Sequence, residues 1–103
     1  MNTGDAMLSS EARVPTAVPS RYLQQLCKHF QHKLPAEFDP RHGRVAFPAG
    51  QCELAALAEA GILHLRVTAR DEKGLARLED VVGRHLERFA FREKPEIHWT
   101  RAA

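Results

Sequence analysis

The sequence predicts an α+β domain of two layers: a mostly antiparallel sheet with two helices packed on one face. Three observations lead there. Two segments repeat apolar residues with the period of an amphipathic helix, others alternate with the period of two of a half-buried strand, and they follow the order β-α-β-β-β-β-α-β. Each helix has one apolar stripe and needs one apolar surface to lie on, which one face of an antiparallel sheet supplies.

Residues 1–10 are polar and small, and are expected to form a flexible N-terminal tail before a single domain over residues 11–101. "EARVPTAV" reads as a short extended segment, and Pro15 within it makes it an edge strand at best. "PSRYLQQLCKHFQHKLP" reads as a helix with Ser20 as N-cap and Pro35 ending it. Leu23, Leu26, Cys27 and Phe30 form its buried stripe. "AEFDPRHGRVAF" reads as a hairpin, with Asp39, Pro40 and Gly43 supplying turn chemistry.

"QCELAALAEAGILHLRVTAR" reads as a second hairpin. Cys52, Leu54 and Ala56 alternate with Glu53 and Ala55, the chain turns near Ala60 and Gly61, and Leu63, Leu65 and Val67 then share one face. "DEKGLARLEDVVGRHLERF" is the second helix, capped by Asp71, with Leu75, Leu78, Val82, Leu86 and Phe89 as its stripe. "PEIHWT" reads as a last strand, Ile97 and Trp99 inward, Glu96 and His98 outward. The predicted core joins Leu23, Leu26, Cys27, Phe30, Leu65, Val67, Leu78, Val82, Leu86, Phe89 and Trp99.

A chain of 103 residues with 44% hydrophobic and 27% charged residues has the make-up of one globular domain. Its net charge of +2 is too small to mark a nucleic-acid or membrane-surface protein. The start of the chain lacks the basic and apolar regions of a signal peptide, and no run approaches the ~18 apolar residues of a membrane span. The cytoplasm is therefore the expected location, with Cys27 and Cys52 reduced. P-loop, GxGxxG, GxSxG, HExxH and paired CxxC motifs are absent. The strand order partly matches an RNA-recognition sheet, but the aromatic strand signature is missing, so sequence-specific nucleic-acid binding is not expected.

The positive excess sits in "RYLQQLCKHFQHK", where Arg21, Lys28 and Lys33 meet no acid. Tyr22, Leu26, His29 and Lys33 fall along one flank of the buried stripe at about 100° per residue. A phenol, an imidazole and an ammonium there suit a carboxylate or phosphate ligand; alternatively they lie along the core edge with their tips in water. His29 and His32 are three residues apart but lack the further ligands that zinc requires, so neither a metal nor a cofactor is expected. His85 lies within the second helix's stripe. If the helices are neighbours, His29 and His85 form the best acid–base candidate, favoured by a concave site and disfavoured by a flat one. His64, Arg66 and His98 should project from the helix-free face, where a solvated surface or a homodimer contact is expected.

At "RYLQQLCKHFQHK", "CELAALAEAGILHLRV" and "LEDVVGRHLERFAFRE…IHW" the chain resembles a family of small bacterial proteins catalogued as a domain of unknown function, over residues 11 to 101. The shared motifs are Arg21-Tyr22-Leu23…Leu26-Cys27…His29-Phe30…His32-Lys33 and His85-Leu86…Arg88-Phe89-Ala90…Arg92-Glu93. They include Tyr22, His29, Lys33 and His85. The resemblance implies no activity; it implies a role near siderophore utilisation and iron uptake, because relatives are encoded beside such genes or joined to siderophore-interacting flavoproteins. The leading expectation is a binding or accessory domain that engages an anionic small molecule or a protein partner through the basic flank of the first helix. The alternative is a small enzyme using His29 and His85 as acid–base groups.

Overall fold

The structure is a computed structural model and describes residues 7–102. Its elements are β1 (Leu8–Pro15), α1 (Pro19–Gln31), β2 (Ala36–Phe38), β3 (His42–Phe47), β4 (Gly50–Leu57), β5 (Ile62–Ala69), α2 (Glu72–Phe89) and β6 (Thr100–Arg101), with a 3-10 turn at Ala58–Ala60. The element order is the predicted one. Six strands form one antiparallel sheet in the order β2-β3-β4-β5-β1-β6. Helix α1 lies over β2–β5, and α2 over β4, β5 and β1. The result is the predicted α+β arrangement of two layers.

The pattern of each strand sorts its side chains. In β1 Ser10, Ala12 and Val14 face the helices and are buried, while Ser9, Glu11 and Arg13 face outward. Leu63, Leu65 and Val67 of β5 form the core floor, beneath Leu23, Leu26 and Cys27 of α1 and Leu75, Leu78, Val82 and Leu86 of α2. Of the predicted core, Phe89 and Trp99 are only half-buried, packed at its margin.

The β4–β5 hairpin forms as predicted. Gly61 closes it with φ 65°, a left-handed conformation that an L side chain resists. Asp71 caps α2: its Oδ1 accepts a hydrogen bond from the Gly74 N–H at 2.7 Å. In the β2–β3 turn Asp39 Oδ1 accepts the amides of Arg41 (2.7 Å) and His42 (2.8 Å).

Several boundaries differ from the sequence reading. Residues 1–6 of the predicted tail lie outside the described residues, but Leu8, Ser9 and Ser10 already belong to β1. This strand pairs with β5 from Leu8 to Pro15 and with β6 at Ser10 and Glu11, so it is not an edge strand there; Pro15 occupies its last position. Ser20 does not cap α1. The helix opens at Pro19, whose fixed φ suits the first helical position, and the Ser20 hydroxyl donates instead to the Pro40 carbonyl at 2.6 Å. The helix ends at Gln31, four residues before Pro35. Gly43 lies in β3 rather than in the turn. Its missing side chain admits α1, because a Cβ there would fall 2.6 Å from Cys27 Sγ. Residues 95–99 form no ladder; Ile97 and Trp99 reach the core margin from irregular chain, and only Thr100 and Arg101 pair.

The register also orders the helix-free face. Glu37, Arg44, Glu53, Arg66 and Glu11 are cross-strand neighbours in turn, one row of alternating charge over five strands. Within it Arg44 reaches Glu37 at 3.7 Å and Arg66 reaches Glu53 at 3.2 Å.

Candidate functional site

Helices α1 and α2 meet through an aromatic cluster. The His29 ring lies 4.7 Å from His85, 5.3 Å from Phe30 and 5.7 Å from Phe89, measured between centroids. Phe30 lies 5.0 Å from His85 and 5.1 Å from Phe47. These spacings suit tilted and edge-to-face aromatic packing. Over the cluster opens a concave groove of about 490 Å³, lined by His29, Phe30, His32, Lys33, Leu34 and His85. Its lining side chains offer ring and aliphatic carbon, with three imidazoles and one ammonium as their polar groups.

The sequence explains how these groups are held. Phe30 anchors α1 in the core, which leaves His29 and Lys33 on the flank toward α2. Lys33 follows the end of α1, where its N–H and that of Leu34 both bond the Phe30 carbonyl, at 3.0 and 2.9 Å. His85 Nδ1 lies 2.7 Å from the Val81 carbonyl. A carbonyl only accepts, so Nδ1 carries the proton, and Nε2 is the ring's remaining polar atom. The pKa of His29 is lowered, first by partial desolvation and then by His85, His32, Arg88 and Lys33. Every charged neighbour acting on it is basic. The C-terminal dipoles of α1 and α2 favour the cations in their last turns, Arg88 among them, but they do not account for the two sets meeting in one groove.

Of the predicted site residues, His29, Lys33 and His85 converge in this groove and Tyr22 does not. Tyr22 is buried at the other end of α1, where the turn after α2 covers it. Burial, then the Glu93 carboxylate beside it, pushes its phenol up. Glu93 accepts from the Thr16 hydroxyl at 2.6 Å and from the Ala17 N–H at 3.2 Å, which ties the turn to the start of α1. The sequence assigns no groove role to Phe30, Leu34, Arg88 or His32. Arg88 was recoverable, because it follows His85 by three residues and so shares its face of α2.

Elsewhere the candidates are tied down. His64 Nε2 lies 2.9 Å from Glu11 on the helix-free face, and this contact holds Glu11 below the usual carboxylate range. Arg66 pairs with Glu53. His98, predicted to project from a strand, lies outside any strand, exposed and 3.3 Å from Glu96. Cys27 and Cys52 are free and buried, with burial pushing the Cys27 thiol up to about 11. Among the described residues no group of three or more His, Cys, Asp or Glu is placed to hold a metal ion, and no helix is long and apolar enough to cross a membrane.

Residues 11–100 match the model of a family described as "uncharacterized protein conserved in bacteria (DUF2218)". The chain belongs to this family. The resemblance seen in the two helix motifs is borne out at that level, and the family's description names no activity. The NMR structure of PA4090 from Pseudomonas aeruginosa is similar: 35% identity over 90% of this chain and 95% of that one, with a TM-score of 0.76. No curated protein matches. The DUF2218 fold is thus seen in a solved relative, while the groove's chemistry has to be argued from its own side chains.

Proposed function

We propose that this DUF2218 domain is a cytoplasmic binding or accessory domain whose α1–α2 groove takes an anionic group. One observation carries the reading. His29, His32, Lys33 and His85 converge on one concavity, and neither Lys33 nor Arg88 enters an ion pair among the described residues. Clustered like charges raise one another's free energy, and a bound anion relieves that repulsion. Within this reading, the family resemblance implies a role near siderophore utilisation, which makes a carboxylate-bearing siderophore one ligand to test.

The convergence of His29 and His85 in a concave site is also what the acid–base alternative requires. The groove supplies no nucleophile beside them, since Cys27 is fully buried. Nor does it supply a carboxylate to orient a histidine; the His85 partner is a backbone carbonyl. Binding is therefore the better-supported function. A homodimer through the helix-free face is less well supported, because most charges at the centre of that face, Arg44 with Glu37, Arg66 with Glu53 and His64 with Glu11, are already paired within the chain.

The test is chemical-shift mapping during titration with phosphate, citrate and a carboxylate-bearing siderophore. Shifts confined to residues 29–34 and 85–89, and abolished by Lys33→Ala with His29→Ala, are expected. Small shifts spread over the surface and indifferent to both substitutions would refute the groove.

A further inference from the structure

The groove does not stop at His85. A second concavity, of about 200 Å³, is lined by Val81, Arg84, His85 and Arg88. His85 is common to both. The four residues recur at i, i+3, i+4 and i+7 along α2, so they form one stripe of that helix. Arg84 is engaged with Asp80 at 3.3 Å, whereas Arg88 has no carboxylate partner among the described residues. The two lobes therefore differ. The larger has aromatic and aliphatic walls with Lys33 and His32 at its rim, and the smaller presents the Arg88 guanidinium.

We propose that the two lobes form one site for an aromatic dianion: a flat ring packed on the His29, Phe30 and His85 rings, one carboxylate toward Lys33 and the second toward Arg88. This deepens the anion-binding reading and rests on it. The geometry selects the class in two ways. A wall of ring faces and edges at centroid spacings of 4.7–5.3 Å gains most from another ring. Lys33 and Arg88 line two concavities that share His85, an arrangement that rewards two separated negative charges over one, and the planar fork of Arg88 suits a carboxylate in bidentate geometry.

Binding of benzoate, glutarate and isophthalate to the whole chain, followed by NMR titration at low salt, separates the contributions. Isophthalate is expected to bind at least about tenfold more tightly than benzoate or glutarate, a single charge-assisted contact being worth that much. Arg88→Gln should weaken isophthalate much more than benzoate and bring the two close to parity. Arg88→Lys should restore part of the difference, and Lys33→Gln should weaken all three. Arg88 is exposed, so its variants are expected to fold, which the unperturbed part of the same spectra checks. If benzoate and isophthalate bind equally in the native chain, the two-lobed site is wrong and the single anion groove stands. If none of the three shifts residues 29–34 or 85–89, the groove reading falls with it.

Discussion

A methyl group at Gly43 tests whether α1 is seated on β3 by the absence of a side chain. The added Cβ would fall 2.6 Å from Cys27 Sγ, with Phe38 Cβ at 3.3 Å and Leu23 Cδ2 at 3.4 Å. Ordinary contact begins near 3.4 Å, so helix or strand must give by about 0.8 Å. Leu23 and Cys27 are fully buried and have nowhere to withdraw. Overpacking of this kind costs about 1–3 kcal/mol. Restricting the unfolded chain returns about 0.4–1 kcal/mol. Gly43→Ala should therefore destabilise by about 1–2 kcal/mol net. With a urea m-value of about 1.5 kcal/mol/M, the unfolding midpoint falls by about 1 M. Cys27→Ala removes the sulfur that obstructs the methyl. In that background Gly43→Ala should cost little, which gives a coupling of at least ~1 kcal/mol in a double-mutant cycle. Additive costs, or a single variant as stable as the native chain, would refute the seating argument. Cys27 precedes His29 by two residues, so the single variant should also shift the resonances of His29 and His85.

The depressed pKa of His29 has a definite sign. Relative to the unfolded chain, the fold disfavours its protonated form, so stability should fall as pH drops through the ordinary histidine value of about 6.5 toward the lower folded pKa. Phosphate should raise that folded pKa, read from the His29 ring protons; an identical titration with and without phosphate would count against the anion groove. The native thiols should react with a disulfide reagent only as fast as the chain opens, since burial raises both Cys27 and Cys52. Rapid labelling of either under native conditions would contradict the burial described. Tyr22→Phe should lower stability by about 1 kcal/mol through the lost phenol contact, yet leave anion affinity unchanged. A loss of affinity beyond about threefold, roughly 0.65 kcal/mol, would return Tyr22 to the site.

The periodic parts of the fold were legible because burial leaves a periodic trace. Leu63, Leu65 and Val67 announce a strand floor, and Gly61 announces the turn before it. The same trace misleads at Ile97 and Trp99, which alternate like strand residues but report only which way a side chain points, not whether its backbone finds a partner. Ser20 illustrates a local ambiguity: a hydroxyl at a helix start can cap it, but Pro19 already fixes the first turn, and the hydroxyl goes to Pro40. The groove was half legible. A helical wheel groups Tyr22, His29 and Lys33 on one flank, but it cannot say what covers each end of that flank. The turn after α2 closes over Tyr22 and leaves His29 open. The spacing of Arg88 from His85 puts it on the same face of α2, but that this face meets His29 and Lys33 is a relation between two helices that neither encodes alone.

The row of alternating charge from Glu37 to Glu11 constrains how the sequence can drift. Opposite charges directly across two strands contribute about 0.2–1 kcal/mol, and like charges there oppose pairing. Arg44, Glu53 and Arg66 each have an oppositely charged neighbour on both sides. Reversing one of them turns two attractions into repulsions, and a compensating change on one side leaves the other unmended. Glu37 and Glu11 stand at the ends: Glu37 has Arg44 alone, and beyond Glu11 lies only Thr100. Substitutions should therefore enter the row from its ends and move inward, with neighbouring strands changing in pairs that lie far apart along the chain, and Glu53 at the centre should be the last to yield.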